Sequence, residues 1–114
     1  MPYLRIQNTQ AVDAATKQQA VMAASKLISE KTGKPERYVM VDYAPDRPMV
    51  FAGSDAPCAY VELKSIGLPK DRTKEFSQAL CTLLETAISV PADRIYIEFT
   101  DAKREMWGWN GATF

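Results

Sequence analysis

Histidine is absent from the 114 residues of this chain, and cysteine is scarce. The first absence excludes zinc sites built on imidazole, and it excludes Ser-His and Cys-His catalytic pairs. The two cysteines, Cys58 and Cys81, are too few for a disulfide scaffold and are not spaced as CxxC. One bridge between them stays open as an alternative, but we expect buried packing residues in a reduced compartment.

A surplus of either charge is also absent, because fourteen Lys and Arg residues balance fourteen Asp and Glu residues. Nucleic acids and anionic membranes attract proteins with a basic surplus, so we expect neither as a partner. No apolar run approaches the ~20 residues of a membrane span. The residues after Met1 lack the basic and apolar regions of a signal peptide, which predicts a cytoplasmic protein.

What is present is the composition of an ordinary globular domain, with 46% apolar and 25% charged residues. The length lies within the roughly 100–150 residues of a typical domain. We therefore expect one domain over residues 1–114.

Residue spacing in the first half predicts a strand, a helix and two further strands. Alternation favours a strand over residues 3–8. Asp13 is a candidate N-cap for a helix that ends at Gly33, where a left-handed cap is typical. Strand formers predict strands over residues 38–43 and 49–51.

The second half repeats the order of strand, helix and strand. Strands are predicted over residues 58–63 and 95–99, on either side of a helix. Asp71 is the candidate N-cap of that helix, and Pro91 follows its end. The chain finishes in a short tail over residues 106–110.

Residues 35–41 also resemble residues 91–97, which indicates two pseudo-repeats of about 1–56 and 57–114. Two strand–helix–strand units predict an α+β (α/β sandwich) fold. In that fold both helices cover one face of a four-stranded mixed sheet, and short edge strands are added.

The opposite face of this sheet has no helix to cover it. Because residues 38–43 and 95–99 carry apolar side chains on both faces, we expect the uncovered face to be apolar. An exposed apolar face of this kind indicates an oligomer.

Pro2 is the first candidate functional residue, because removal of Met1 would leave its nitrogen as a free secondary amine. A free α-amino group titrates near ~7.7–8.0, and burial or a nearby cation lowers that pKa. Such a nitrogen would be a neutral general base near neutral pH. The alternative is that Pro2 only permits processing and starts an edge strand.

Five further residues are candidates, each with a structural alternative. Lys34 follows the first helix and could bind an anion, or it could be a solvated lysine at a helix C-terminus. The backbone N–H at Ile66 could bind a substrate oxygen, or the residue could simply end its strand. The Tyr96 hydroxyl could bind substrate or be satisfied in the core. Trp107 and Trp109 could wall a pocket or dock the chain end.

Short motifs along the whole chain share their order and spacing with one family. In chain order they are Pro2, Thr32-Gly33-Lys34-Pro35, Pro45-Asp46, Phe51-Ala52-Gly53-Ser54, Pro57-Cys58-Ala59, Ser65-Ile66-Gly67, Asp93-Arg94-Ile95-Tyr96-Ile97, Gly108-Trp109-Asn110 and Thr113-Phe114. The chain resembles the macrophage migration inhibitory factor family of the tautomerase superfamily.

The resemblance implies a homotrimer whose sheets surround a central channel, with active sites between neighbouring subunits. It implies Pro2 as the catalytic base, with Lys34 and the backbone of Ile66 binding the acid group of the substrate. Tyr96 would come from the adjacent subunit, and Trp107 and Trp109 would flank the pocket.

The implied reaction is keto–enol tautomerisation of phenylpyruvate, hydroxyphenylpyruvate or dopachrome-type compounds, by an isomerase that needs neither cofactor nor metal. Vertebrate relatives are also leaderless secreted cytokines with a cell-surface receptor. A cytokine-like receptor-binding protein, secreted without a signal peptide, therefore stays open as an alternative. So does a trimeric scaffold with a vestigial pocket.

Two departures from the family pattern affect these expectations. Better-known vertebrate members have asparagine where this chain has Glu98, a position that we assign to substrate binding. A carboxylate there would raise the pKa of the Pro2 amine and repel an anionic substrate. The family's CxxC is interrupted, because Val61 stands where Cys58 would need a partner. We therefore predict no thiol oxidoreductase activity.

Overall fold

The computed structural model describes all residues from Met1 to Phe114 and contains a four-stranded sheet with two α-helices. The strands are β1 (Tyr3–Asn8), β2 (Met40–Ala44), β3 (Ala59–Ile66) and β4 (Ile95–Ala102). The helices are α1 (Ala14–Thr32) and α2 (Thr73–Ile88), and β5 (Gly108–Trp109) pairs with β6 (Ala112–Thr113) in a terminal hairpin. The predicted α+β fold with two strand–helix–strand units is confirmed.

The strand order is β2-β1-β3-β4, so the first strand of the chain lies inside the sheet. β1 is parallel to β2 and β3 is parallel to β4, and each parallel pair is connected through its own helix. The two units meet where β1 and β3 pair antiparallel. The alternative that Pro2 starts an edge strand is therefore wrong.

Helix α1 begins and ends where the sequence indicates. The Asp13 carboxylate accepts a hydrogen bond from the Thr16 N–H at 2.7 Å, which satisfies one of the free donors of the first turn. At the other end Gly33 adopts a left-handed conformation with φ 71°, and its N–H donates to the Ser29 carbonyl. The chain then turns sharply into Lys34.

The core lies between the two helices and one face of the sheet. Helix α2 contributes a stripe of buried residues at intervals of four, Phe76, Leu80, Leu84 and Ile88. These pack with buried side chains of β1 and β3, among them Leu4, Ile6, Val61 and Leu63. Because alternate strand residues face the helices, the intervening side chains form a second, uncovered face.

Three local predictions are wrong. Residues 49–51 form no strand and make only one isolated bridge, between Phe51 and Ser54. The chain turns back at once there, because Ala52 and Gly53 both have positive φ. Asp71 caps no helix, since it lies inside a 3₁₀ turn, Lys70–Arg72, and α2 begins after it without a side-chain cap.

The third error concerns the uncovered face of the sheet, which is polar rather than apolar. In β2 and β4 the aliphatic side chains alternate toward the helices, where Val41, Ile97 and Phe99 pack against the core. The opposite face carries mainly charged and hydroxyl-bearing side chains, namely Tyr3, Arg5, Gln7, Asp42, Tyr60, Glu62, Lys64, Tyr96, Glu98 and Thr100. Neither helix has the length and hydropathy that crossing a membrane requires.

We expect Leu84→Ala to lower the free energy of unfolding by about 2–5 kcal/mol, because it opens a cavity in the packed core. Leu84 is 1% exposed between α2 and the sheet. Thr82→Ala, on the exposed side of the same helix, should change stability by less than about 0.5 kcal/mol. Urea unfolding at one fixed protein concentration measures both, and equal losses would contradict this packing.

Candidate active site

A cavity of about 250 Å³ opens beside the start of β1. It is mostly apolar, since eight of its eleven lining residues are hydrophobic, and no aspartate or glutamate lines it. The lining residues are Met1, Pro2, Tyr3, Arg37, Tyr38, Val39, Met40, Trp107, Gly108, Trp109 and Phe114. An apolar concavity with few polar groups is typical of small-molecule sites.

Pro2 is held rigidly at the base of this cavity. Its side chain is less than 2% exposed, and its carbonyl accepts a hydrogen bond from the Met40 N–H at 3.0 Å. The amine on Met1, one residue earlier, is partly buried. Burial lowers the pKa of that amine below its ordinary value of 8.0, and the positive charges of Lys34 and Arg104 lower it further.

Lys34 lies close enough to affect the N-terminal amine, although it does not line the cavity. Its backbone is fixed by the end of α1. The Ser29 hydroxyl donates to the Lys34 carbonyl at 2.7 Å, and the Lys34 N–H donates to the Thr32 hydroxyl at 3.3 Å. The helix end therefore holds a half-buried cation beside the start of the chain.

Three aromatic side chains form one wall of the cavity, which we call the aromatic wall: Tyr38, Trp109 and Phe114. The rings of Trp109 and Phe114 stack at 5.4 Å, and Tyr38 meets them edge-on at 5.5 and 5.8 Å. Trp107 joins the wall through the backbone, because its carbonyl accepts the Phe114 N–H at 3.2 Å. Edge-on and offset pairs are the favourable aromatic geometries, so the wall is well packed.

The other candidate residues do not line this cavity within one chain. Ile66 is buried, 6% exposed, at the end of β3. Tyr96 and Glu98 lie on β4, at the other end of the strand order from β2, and point from the polar face of the sheet. The structure thus brings together Pro2, Trp107 and Trp109, with Lys34 nearby.

Tyr96 is exposed but held in place. Its side chain is 65% exposed, and its ring packs edge-on against Phe51 at 4.8 Å. The Arg94 guanidinium covers Phe51 at 5.1 Å and donates to the carbonyls of Ser54, Ala56 and Pro57. The Tyr96 hydroxyl is consequently presented outward on a fixed support.

Glu98 is fixed by a tyrosine and has no cation of its own. The Tyr60 hydroxyl donates to Glu98 at 2.8 Å and lies 3.3 Å from Glu62, and these carboxylates raise the pKa of Tyr60 to about 12. Lys64 pairs with Glu62 at 3.6 Å, whereas Glu98 takes part in no ion pair. An exposed, uncompensated carboxylate therefore stands two residues from Tyr96.

The cysteines stay separate and unpaired. Cys58 is buried, Cys81 is half-buried on α2, and burial raises the pKa of the Cys81 thiol. A raised pKa disfavours the reactive thiolate. Nowhere do three potential metal ligands of the His, Cys, Asp or Glu type gather.

Several residues at or near the cavity carry no functional signal in the sequence. Arg37, Tyr38, Val39 and Met40 line it, and Arg104 affects the N-terminal amine. The strand formers over residues 38–43 predict that Tyr38 begins a strand. In the structure a 3₁₀ turn, Glu36–Tyr38, precedes β2 and directs the Tyr38 ring into the aromatic wall. The proline before this turn was its only sequence signal.

Comparison with known proteins places this geometry in one family. The family model described as Macrophage migration inhibitory factor (MIF) matches residues 1–114. The solved structure of a macrophage migration inhibitory factor homologue from Prochlorococcus marinus superposes with a TM-score of 0.93 at 42% identity, and the match covers 98% of each chain.

Curated relatives agree with this match. The macrophage migration inhibitory factor of Xenopus tropicalis is 41% identical over 79% of each chain. The macrophage migration inhibitory factor homolog of Brugia malayi is 36% identical over 100% of this chain and 99% of its own length. The chain therefore belongs to the macrophage migration inhibitory factor family.

Proposed function

We propose that this chain is a keto–enol tautomerase whose general base is the nitrogen of Pro2 after removal of Met1. The observation that carries the proposal is the burial of Pro2 in the lining of an apolar cavity, next to the Met1 amine, whose pKa burial and the cations Lys34 and Arg104 lower. Family membership supports an isomerase of this class. The substrates proposed are phenylpyruvate, hydroxyphenylpyruvate and dopachrome-type compounds.

The proposed reaction is a proton transfer within one substrate molecule. The neutral Pro2 nitrogen takes a proton from the carbon beside the keto group, and the C–H electrons form the C=C bond of the enol. The carbonyl π electrons move to oxygen, and the same proton is delivered there to complete the enol. Lys34 and the backbone N–H of Ile66 bind the substrate carboxylate, and the aromatic ring contacts Trp107 and Trp109.

We propose that a neighbouring subunit completes the site in a homotrimer. Tyr96 and Glu98 lie away from the cavity of their own chain, on an uncovered sheet face, and both are held in fixed positions. Their exposure supports a role in another copy's cavity. Polar contacts across this face replace the apolar burial that the sequence predicted as the reason for assembly.

The enzyme is the function that the cavity supports best. A cytokine-like receptor role rests only on the names of relatives, and no surface feature of this chain favours it. The unpaired cysteines are compatible with residence in the cytoplasm, which we keep as part of the proposal. We regard residues 1–114 as one domain of two pseudo-repeats.

The proposal predicts that the processed protein tautomerises phenylpyruvate and hydroxyphenylpyruvate in an absorbance assay. A form that retains Met1 should lose at least about 100-fold in kcat/KM, the usual contribution of a general base, because its Pro2 nitrogen is an amide and cannot accept the proton. Pro2→Gly keeps a free N-terminal amine, though a primary and less constrained one, so its loss should be smaller. Mass spectrometry verifies the processing of each form. Undiminished turnover by the form that retains Met1 would contradict a Pro2 base.

Glu98→Gln tests the contribution of the neighbouring subunit. Removing one negative charge from the shared cavity should raise kcat/KM for phenylpyruvate by about threefold, the scale of a partly screened ion interaction. Glu75→Gln, which changes net charge equally on the outer side of α2, should leave it unchanged.

Light scattering of the same samples measures the molar mass of the assembly, for which we expect three times the 12.7 kDa of one chain. A monomeric mass, or equal effects of the two glutamate substitutions, would contradict a site shared between subunits.

A further inference from the structure

The charged side chains that line the cavity or act on the N-terminal amine are all positive, although the chain has no net charge. Arg37 lines the cavity, while Lys34 and Arg104 act on the N-terminal amine inside it. No aspartate or glutamate lines the cavity. The family expectation accounts for Lys34 alone, so two guanidinium groups at this site have no assigned role.

Arg104 does not line the cavity, but it binds the main chain of Phe114 at the end of the aromatic wall. It begins a 3₁₀ turn, Arg104–Met106, and its Nε donates to the main-chain oxygen of Phe114 at 3.1 Å. Its two terminal nitrogens form no hydrogen bond and no ion pair in the chain. One edge of this guanidinium therefore fixes the wall, and the other edge is free to bind an anion.

Arg37 borders the same wall at Tyr38. Its guanidinium carbon lies 4.8 Å from the centre of the Tyr38 ring, and this ring meets both Trp109 and Phe114. Arg37 also forms no hydrogen bond and no ion pair. Stacking on an aromatic ring fixes a guanidinium plane and leaves its edge available, which suits carboxylate recognition.

The acidic residues nearest in sequence do not neutralise these cations. The Glu36 carboxylate accepts the Ser25 hydroxyl at 2.9 Å, and the Asp42 carboxylate accepts the Tyr3 hydroxyl at 3.0 Å. Glu105 follows Arg104 but forms no ion pair with it. Arg37 in the cavity lining and Arg104 at the end of its aromatic wall are thus paired with no aspartate or glutamate, and Lys34 lies nearby.

We propose that Arg37 and Arg104, together with Lys34, select aromatic acids that carry two carboxylates at their polar end. One carboxylate is bound by Lys34, as in the proposed tautomerase, and the second is bound by the free guanidinium edges. The aromatic ring lies against Trp109 and Phe114. This inference rests on the proposed function for the placement of the first carboxylate, and it makes Arg37 and Arg104 specificity-determining residues.

Binding can be measured without turnover, because Trp107 and Trp109 are the only tryptophans of the chain and both line the cavity. Their fluorescence therefore reports a bound ligand directly. Two non-reacting probes form a matched pair: 3-phenylpropionate, with one carboxylate, and benzylmalonate, which adds a second carboxylate to the same skeleton. The ratio of their Kd values at neutral pH isolates the contribution of the second charge.

We expect the wild-type protein to bind benzylmalonate about tenfold more tightly than 3-phenylpropionate, from two partly screened ion interactions. Arg37→Gln and Arg104→Gln should each reduce this ratio about threefold, and the double variant should abolish it. Arg104→Lys keeps the charge and should keep most of the ratio. Lys103→Gln is the matched control, because Lys103 neither lines the cavity nor affects the amine, and it should leave the ratio unchanged.

Equal binding of the two probes by the wild type, or an unchanged ratio in the double variant with a native circular dichroism spectrum, would overturn the inference. The tautomerase assay is run on the same samples, so the two proposals fail separately. A strong preference for the dicarboxylate without turnover supports the proposed role of Arg37 and Arg104 and contradicts the tautomerase. Turnover without this preference supports the tautomerase and contradicts the selection of dicarboxylates.

Discussion

The position of β1 inside the sheet is the constraint on which the rest of the structure depends. Because β1 pairs with both β2 and β3, the start of the chain is fixed between two strands instead of fraying at an edge. Pro2 is buried in consequence, and the amine next to it loses water. Burial of a cation is unfavourable, so the neutral, basic form of this nitrogen is favoured.

The surroundings of the chain start strengthen the same effect. The left-handed turn at Gly33 ends α1 and holds Lys34 beside the amine, while Arg104 approaches from the terminal segment. The terminal hairpin supplies Trp109, which packs with Phe114 and Tyr38 into an apolar wall. Segments far apart in the chain therefore converge on the start of the chain, and each contributes burial or positive charge there.

The polar sheet face supports the proposal that a second chain completes the cavity. Tyr96 rests on Phe51, and Glu98 is bound by Tyr60, so both side chains are fixed before any partner arrives. A site divided in this way favours binding with little loss of side-chain freedom, since the contributing groups are ordered in advance. One consequence is that the Glu98 carboxylate stands on the surface without an ion-pair partner.

The sequence predicted the two units, the sheet and the ends of α1, because alternation, helical spacing and the caps at Asp13 and Gly33 are local signals. Predictions from the sequence are wrong where the backbone changes direction within a few residues. Asp71 lies within a 3₁₀ turn instead of capping α2, and residues 49–51 turn back before a strand can pair.

Only those residues of the candidate site that belong to recognisable motifs could be predicted from the sequence. Pro2, Trp107 and Trp109 line one cavity, while their roles stay predictions. Arg37 and Arg104 were missed, because no spacing rule shows that residues 67 positions apart border one aromatic wall. Only tertiary packing of the terminal hairpin against the 3₁₀ turn before β2 brings them together.

The most direct test of this account is the pKa of the Pro2 nitrogen, measured by ¹⁵N NMR titration of the processed protein labelled at proline. An amine acts as a base only when it is neutral, so a lowered pKa extends the active form toward lower pH. We expect the pKa of the Pro2 nitrogen to lie below that of the same nitrogen in the urea-unfolded protein, because burial and the charges of Lys34 and Arg104 already lower the pKa of the Met1 amine one residue earlier. We further expect a rise in Lys34→Gln and none in Lys31→Gln, since Lys31 does not affect the amine. A pKa at or above that of the unfolded protein, unchanged in Lys34→Gln, would contradict this account.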